Sequence, residues 1–436
     1  MTAPLSSSRR QDFRLETTEA AATGVRALFH GETPDMTVSH SRPIRVMHVT
    51  NGMTLGGTEK VVLKLANTLT EGFDHRICCI RDFDTDLVRT HVRLEQLTAL
   101  RLPESRFALF LPQLVRAIRS CKPDIVHSRN WGAIEAVFAA RLAGVPVVIH
   151  SEHGYDADGM RAMPFRQRWL RRVASSTADA FFAVSRELRD FHAAQAGIRP
   201  DRIRVIYNGV DVHAFSPQPA ARARIRAEQG IGPDEFVLGA VGRMVRIKDY
   251  QTLLQAAGVL SQHGLNFKLM LVGDGPELPG LIALAESLPG VRERLITLGQ
   301  RNDVSGLLSA MDVFVQTSLR EGMSNTILEA MAAGLPPLVT RVGGNTEIIE
   351  EGKSGWLFNP GDMEYLSRLL HGLAAQPDSR MSTGQAARRR VHEMFSNERM
   401  LANYRALYFE LAARRGVCST TDGIFTGIQP EGSRMA

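Results

Sequence analysis

Cysteine is scarce in this chain. Only Cys78, Cys79, Cys121 and Cys418 occur in 436 residues, and no two stand at C-x-x-C spacing. A paired-thiol metal site is therefore not expected, and reduced thiols in a cytoplasmic protein are the simplest account. No apolar run reaches the roughly 18 residues that a spanning helix requires. The first forty residues carry no apolar stretch of signal-peptide type, and Arg9-Arg10 lacks the run that a twin-arginine signal needs after it. Zinc-finger spacing and an aromatic-basic RNA-binding run are also missing. The net charge of +6 and pI near 9.3 thus point toward phosphates or acidic lipid rather than nucleic acid.

What is present is globular. At 44% apolar and 22% charged, 436 residues suffice for two domains with full cores. Short β-branched runs alternate with helical ones from Ile44 onward. Residues 44–49, 75–80, 124–128, 145–150, 180–185 and 204–207 read as buried parallel strands, with helices such as 58–69 and 133–143 between them. The pattern restarts with 236–241, 268–272, 295–298, 313–317, 337–340 and 356–358. Two such series predict an α/β chain of two Rossmann-like, doubly wound parallel-sheet domains facing a cleft, with ligands beyond the carboxyl ends of the strands. The expected boundaries are a disordered extension over 1–42, a first domain over 43–207, a second over 208–391, a helix over 392–416 returning toward the first domain, and a disordered tail over 417–436. The join falls at Asn208-Gly-Val-Asp211. In the returning segment Leu401, Tyr404, Leu407, Tyr408 and Leu411 share helical spacing.

Glycine-rich turns follow several strands. Asn51-Gly-Met-Thr-Leu-Gly56-Gly57-Thr58 has phosphate-loop spacing, but Thr58 stands where an NTPase loop needs Lys. Gly273-Asp-Gly275-Pro-Glu-Leu278 begins like a dinucleotide fingerprint, but Leu278 replaces its last small residue. A third turn is Val342-Gly-Gly-Asn-Thr-Glu347. Three such turns at strand ends point to a phosphate-containing ligand, because glycine lets a backbone approach one closely. Arg243 follows Gly242 at a strand end and Lys248 comes five residues later, so cations stand beside these turns.

Two acids, Glu321 and Glu329, enclose Gly-Met-Ser-Asn-Thr-Ile-Leu. If both were helical they would lie about 12 Å apart along the axis. That exceeds the roughly 5 to 9.5 Å of a glycosidase carboxylate pair, and suits two acids gripping the ends of an elongated ligand such as a nucleotide-sugar. The expected helix opens at Glu329 and stops at Gly334, with a loop after Glu321 whose amides face an anion.

Taken in order, Gly56-Gly57-Thr-Glu59, His153-Gly154, Asn208-Gly-Val-Asp211, Gly242-Arg243 with Lys248, Gly273-Asp-Gly-Pro-Glu277, Glu321-x7-Glu329 and Val342-Gly-Gly-Asn-Thr-Glu347 resemble the retaining glycosyltransferases of family four over about residues 43–413. Within that family the chain is similar to sugar transferases of bacterial exopolysaccharide clusters, including those associated with PEP-CTERM systems. The resemblance implies the GT-B fold and retaining transfer of a sugar from a nucleotide-diphosphate-sugar, UDP-linked, to a glycan or polyprenyl-diphosphate-linked acceptor. It implies no cofactor and no metal. Arg243 and Lys248 would neutralise the diphosphate, Glu329 would hold the ribose, and Glu321 would contact the sugar with the amides of Met323, Ser324 and Asn325. Arg301 would line the base pocket. Gly56, Gly57, Gly242 and Gly273 would allow close approach, and His153 would face the transferred sugar, with His127 and His150 as competing positions. Departures from the family pattern are Gly322-Met-Ser324, where Gly-Phe-Gly or Gly-Leu-Pro is usual, and Pro337 after Gly334-Leu-Pro336. A non-catalytic nucleotide-sugar-binding protein and a sugar-nucleotide epimerase are alternatives on the same fold.

Residues 161–173 carry five arginines. Helical spacing from Pro164 puts Phe165, Trp169 and Val173 on one face and Arg168, Arg171 and Arg172 on another. Two readings stand: a helix packed on its own domain with a solvated basic face, or one lying on an anionic membrane, which would place the protein on the inner face of the cytoplasmic membrane.

Overall fold

Strands β1 (Ile44–Thr50), β2 (Phe73–Cys79), β3 (Leu97–Ala99), β4 (Ile125–Arg129), β5 (Val147–Glu152), β6 (Ala180–Ala183) and β7 (Ile203–Val205) form one parallel sheet in the order β3-β2-β1-β4-β5-β6-β7. This computed structural model describes residues 42–53, 56–81, 97–100, 107–155 and 163–418. A second parallel sheet has the order β10-β9-β8-β11-β12-β13. Its strands are β8 (Phe236–Val241), β9 (Phe267–Val272), β10 (Leu295–Thr297), β11 (Val313–Gln316), β12 (Pro337–Thr340) and β13 (Trp356–Phe358). The two-sheet α/β architecture is the expected one. Burial explains its legibility: Val46, Val49, Ile125, Val147, Ile149, Val237, Leu269, Leu271 and Val339 are all out of solvent, as strands covered on both faces must be. The sequence reading missed β3, an edge strand of three residues, too short to display a period.

In each sheet the strand order reverses once, between β1 and β4 and between β8 and β11. Gly56, Gly57, Arg243, Lys248 and Glu321 leave β1, β8 and β11 at these reversals, as the switch-point rule requires, with His153 after β5 and Gly273 after β9.

The chain crosses between the sheets twice, side by side. The Val210 amide donates to the Phe395 carbonyl and the Asn397 amide to the Val210 carbonyl, both at 2.9 Å. A Cβ on Gly209 would lie 2.6 Å from the Ser396 carbonyl, so only glycine permits the pairing. Lys64 ties the crossing to the first sheet, donating to the Gly209 carbonyl at 2.8 Å and to Asn397 Oδ1 at 2.6 Å. Helix Pro377–Met394 runs through residue 391 without a break, so the return begins at Ser396 rather than 392. Ser396 caps helix Asn397–Arg414, accepting from the Arg399 amide. Met400, Tyr404, Leu407, Tyr408 and Leu411 of that helix pack with Ile44, Ile125, Val147 and Phe182 of the first sheet, while Leu401 is only half buried. At about 1.5–3 kcal/mol for each large apolar side chain removed from water, this docking is strong. At the ends of the body, Arg42 forks onto Asp124 at 2.6 and 2.9 Å, and Val417 and Cys418 pack beside the last helix. These three residues therefore belong to the folded body, and the rest of both expected tails lies outside the described residues.

The basic stretch keeps Arg166, Arg168 and Arg172 exposed but does not turn its aromatic face inward. Helix Phe165–Thr177 exposes Phe165 (80%) and Trp169 (55%), and buries Arg171 completely. The reason is Glu152 at the end of β5, also fully buried, which accepts from Arg171 Nε at 2.6 Å. A carboxylate in that position requires a counter-ion, and this outweighs the gain from turning two aromatic rings inward. Burial pushes the Glu152 pKa up, but Arg171, His192 and His150 pull it well below the usual carboxylate range. Arg161 lies outside the described residues.

Candidate active site

The loop after β8 is built for close packing. Gly242 and Gly273 face each other across the strand ends, and a Cβ on Gly273 would collide with the Gly242 carbonyl. The Gly242 amide donates to Val272, Met244 to Asp274 and Gly273 to Gly299, at 2.8 to 3.0 Å. Gly242 and Gly273 thus have a packing reason of their own.

This loop presents Lys248 at the end of a single helical turn, with its carbonyl held by Thr317 Oγ1 at 3.0 Å. The Lys248 ammonium is hydrogen-bonded to Glu321 Oε1, which also accepts from Ser318 Oγ at 2.7 Å. Arg243, in contrast, is exposed. Its charge reaches Glu59 on helix Gly57–Thr68 of the first sheet. Burial raises the Glu59 pKa, and Arg243 and Arg129 act against it.

Glu321 lies in a loop, and the helix after it opens at Asn325, not at Glu329. Ser324 precedes that first turn as its cap residue, and Gly334 at φ +78° follows the end. Glu329 therefore sits inside helix Asn325–Ala332 and is buried. Burial raises its pKa, opposed by Lys60 and Lys64 of the first sheet's leading helix. Ser324 Oγ accepts from Gln316 Nε2 at 2.8 Å, and Asn345 donates to the Thr340 carbonyl at 3.0 Å. The Gly344 amide donates to the Gly322 carbonyl at 3.1 Å and Thr340 Oγ1 to the Ser318 carbonyl at 2.6 Å, which ties the loops after β11 and β12 together. The Val342–Glu347 turn rests on the Glu321 loop: a Cβ on Gly343, at φ +50°, would strike the Glu321 carbonyl.

Both halves meet here. A Cβ on Gly322 would lie 2.6 Å from the His153 carbonyl, so the loop carrying Glu321 is pressed on His153-Gly154. A Cβ on Gly57 would lie 3.2 Å from Asn325 Nδ2, which brings two helix N-termini together; Gly56 is the cap residue just before. Met323 Sδ accepts from the Asn208 amide at 3.2 Å, which anchors the loop to the join. Lys248, Glu321, Met323, Ser324, Asn325, Glu329, Gly56, Gly57 and His153 are therefore brought to one cleft. Arg301 makes a local fork to Asp303, two bonds of 2.8 Å, on an exposed surface.

His153 is held by its surroundings. Its amide donates to Asn130 Oδ1 at 2.7 Å, and its Nε2 lies 2.9 Å from Ser151 Oγ. Burial, with Arg129 and His150, lowers its pKa to about 3 despite Glu152, so the ring is neutral near pH 7. His127 and His150 are fully buried within the strands and do not reach the cleft as free groups.

Sequence reasoning quoted Glu347 within a turn but gave it no task. Its carboxylate accepts from the Arg186 and Glu187 amides at 2.9 and 3.0 Å and from Tyr207 Oη at 2.9 Å. It thereby caps helix Arg186–Ala196 of the opposite half, where the helix dipole favours an anion. Asn130, Ser151 and Arg129 were also missed. Their signal was polar residues in runs otherwise apolar.

Residues 55–214 match a family model described as Glycosyltransferase Family 4, and residues 221–390 one described as Glycosyl transferases group 1. An Escherichia coli UDP-Gal:alpha-D-GlcNAc-diphosphoundecaprenol alpha-1,3-galactosyltransferase is 30% identical over 341 residues, covering 76% of this chain and 87% of that protein. The putative glycosyltransferase EpsF of Bacillus subtilis is 30% identical over 313 residues, 68% of this chain and 79% of its own. Anabaena HepE in complex with UDP-glucose shares the fold, with TM-score 0.72, 20% identity and coverage of 84% of this chain and 100% of that one.

Proposed function

Because the chain belongs to glycosyltransferase family four, we propose that it transfers a sugar from a UDP-sugar to a glycan or polyprenyl-diphosphate-linked acceptor, with retention at the anomeric carbon, in building a bacterial exopolysaccharide or cell-surface glycan. The observation that carries this reading is the Lys248–Glu321 pair, held in a loop whose Gly322 is pressed on the His153 carbonyl of the other half. The named relatives are consistent with it: one is named for UDP-Gal and a diphosphoundecaprenol-linked sugar, and HepE was solved with UDP-glucose.

In this reading the β-phosphate lies against Lys248 and Arg243, and the ribose against Glu329. The glycosidic C1–O bond breaks as the acceptor oxygen bonds C1 on the same face. The acceptor's proton passes to the departing phosphate oxygen. Charge gathers on the diphosphate as the bond breaks, where a fixed cation stabilises it most. To line the base pocket, Arg301 would exchange its fork to Asp303 for the ligand.

A thermal-shift series with UDP-, GDP- and ADP-sugars tests the donor. A UDP-sugar is expected to raise the melting temperature most. Glu329→Ala is expected to weaken that donor about ten- to a hundredfold, the worth of hydrogen bonds to a charged group. An unchanged donor Kd in this variant would remove Glu329 from the ribose site.

Phe165 and Trp169, one turn apart and exposed with Arg166, Arg168 and Arg172, support attachment to an anionic bilayer, where a polyprenyl-linked acceptor resides. Changing Phe165 and Trp169 to Ser is expected to cut sedimentation with vesicles containing anionic lipid by tenfold or more, since each ring contributes about 1.5–3 kcal/mol when buried. Arg171 must be left intact in this experiment because it neutralises Glu152. Equal sedimentation of the wild type and the variant would dismiss the membrane reading.

A further inference from the structure

A buried chain of hydrogen bonds crosses the first half of the molecule and ends at His153. His75 Nε2 lies 2.7 Å from the Leu69 carbonyl, and His75 Nδ1 lies 2.8 Å from His48 Nε2. Arg129 NH1 lies 3.0 Å from His48 Nδ1, and Arg129 NH2 lies 3.2 Å from His127 Nδ1. Tyr408 Oη, from the last helix, lies 2.8 Å from the same His127 nitrogen. His127 Nε2 lies 2.9 Å from Ser151 Oγ, which lies 2.9 Å from His153 Nε2. Arg129 is 1% exposed, and among the described residues its guanidinium hydrogen-bonds these two nitrogens, the His127 carbonyl and Tyr408, not a carboxylate.

The donor in each bond follows from two groups that have only one role and from the lack of any other acceptor for the Ser151 hydroxyl. A carbonyl can only accept, so His75 donates from Nε2 and accepts at Nδ1, and His48 donates to it from Nε2. That leaves His48 Nδ1 as an acceptor, as the guanidinium opposite requires. A guanidinium can only donate, so His127 Nδ1 accepts and its Nε2 carries the proton. That proton goes to Ser151 Oγ, whose own hydrogen has no other acceptor among the described residues and is therefore donated to His153 Nε2. His153 is left with its proton on Nδ1. This nitrogen is out of solvent and has no hydrogen-bond partner in the protein.

Burial and the Arg129 charge keep every ring in the chain neutral. His48 and His127 lie well below the usual histidine range and His75 lies below it; Asp74 and the Leu69 carbonyl oppose the shift only at His75. An orphaned buried N–H costs about 1–3 kcal/mol, which an oxygen of a bound ligand would relieve.

We infer that Arg129, His127 and Ser151 are positioning residues that fix His153 as a neutral Nδ1–H donor, aimed at a hydroxyl oxygen of the transferred sugar. The inference rests on the donor-site reading for its ligand, but not for its tautomer. The ring acts as a hydrogen-bond donor of constant charge, not as a general base, since its one unpartnered nitrogen already carries a proton.

Nitrogen-15 NMR of histidine-labelled full-length protein tests this, with His153→Gln to assign the signal. In the wild type at pH 7, His153 is expected to be protonated at Nδ1 and bare at Nε2. An Nε2–H or doubly protonated ring would overturn the inference. Ser151→Ala is expected to release the Nε2–H form and lower kcat about ten- to a hundredfold with little change in donor KM, by analogy with the partners that hold metal-bound histidines. Ser151→Thr, which keeps the hydroxyl, is expected to restore both. Tyr408→Phe leaves Arg129 on His127 Nδ1 and is expected to keep the Nδ1–H form; its loss there would show that Arg129 does not set the direction. If Ser151→Ala changes the tautomer while kcat holds, the sugar contact is wrong even though the relay exists, and the donor-site assignment of His153 fails rather than the hydrogen-bond chain.

Discussion

Lys248→Ala is expected to lower kcat about a hundred- to a thousandfold, the cost of removing one preorganised group from a developing negative charge. The donor KM is expected to change much less. The ammonium is held in place before any ligand arrives: Thr317 holds the Lys248 carbonyl, and Glu321 and Ser318 complete the cluster at its tip. Little rearrangement is then required as the bond breaks. Arg243→Ala is expected to act in the same direction, and the two losses need not add because both groups serve one diphosphate. Lys248→Arg, which preserves charge but not shape, is expected to recover only part of the rate. Steady-state kinetics with saturating donor decide the matter. If Lys248→Ala turns over like the wild type, the lysine serves only to hold Glu321.

Acid is expected to unfold this protein early. His48, His75, His127 and His153 all have folded pKa values below the unfolded value of about 6.5, with burial as the largest cause for each. Below that pH the unfolded chain binds protons that the folded chain refuses. Stability is therefore full above about 6.5 and falls as pH drops, down to about 3 for His153. Each ring held well below that value loses about 1.4 kcal/mol per unit, so His48, His127 and His153 together lose roughly 4. A domain is stable by only about 5–15 kcal/mol. The melting temperature at pH 5 is expected to fall on the order of 15 °C or more below that at pH 7.5. A melting temperature that stays level between those values would mean that these rings accept protons in the folded state.

The architecture was readable because it rests on short-range regularities. A strand buried on both faces needs an unbroken apolar run, and Phe236–Val241, Pro337–Thr340 and Trp356–Phe358 appear in the structure with the bounds the runs indicated. The last helix was readable for the same reason: its stripe of Tyr404, Leu407, Tyr408 and Leu411 repeats every three or four residues. The helix after Glu321 was placed four residues late, because Asn325 and Thr326 are weak helix formers on their own. Ser324, pinned by Gln316 at the end of the preceding strand, opens the helix there.

Along the chain, strand-helix alternation, the two-fold restart and the glycine turns follow from neighbours a few residues apart, and so do the residues offered to the cleft. Which of them meet is decided over much longer separations. Gly322 presses on His153, Glu347 caps a helix that begins at Arg186, and Tyr408 reaches His127. Helix Phe165–Thr177 makes the division plain. Its spacing defines an aromatic face and an arginine face, and either can turn inward. Glu152, buried at the end of β5 and intolerant of an apolar surround, drew Arg171 in and left Phe165 and Trp169 outside. Periodicity is a property of one segment, whereas the demand of a buried charge for its partner exists only once the segments are packed.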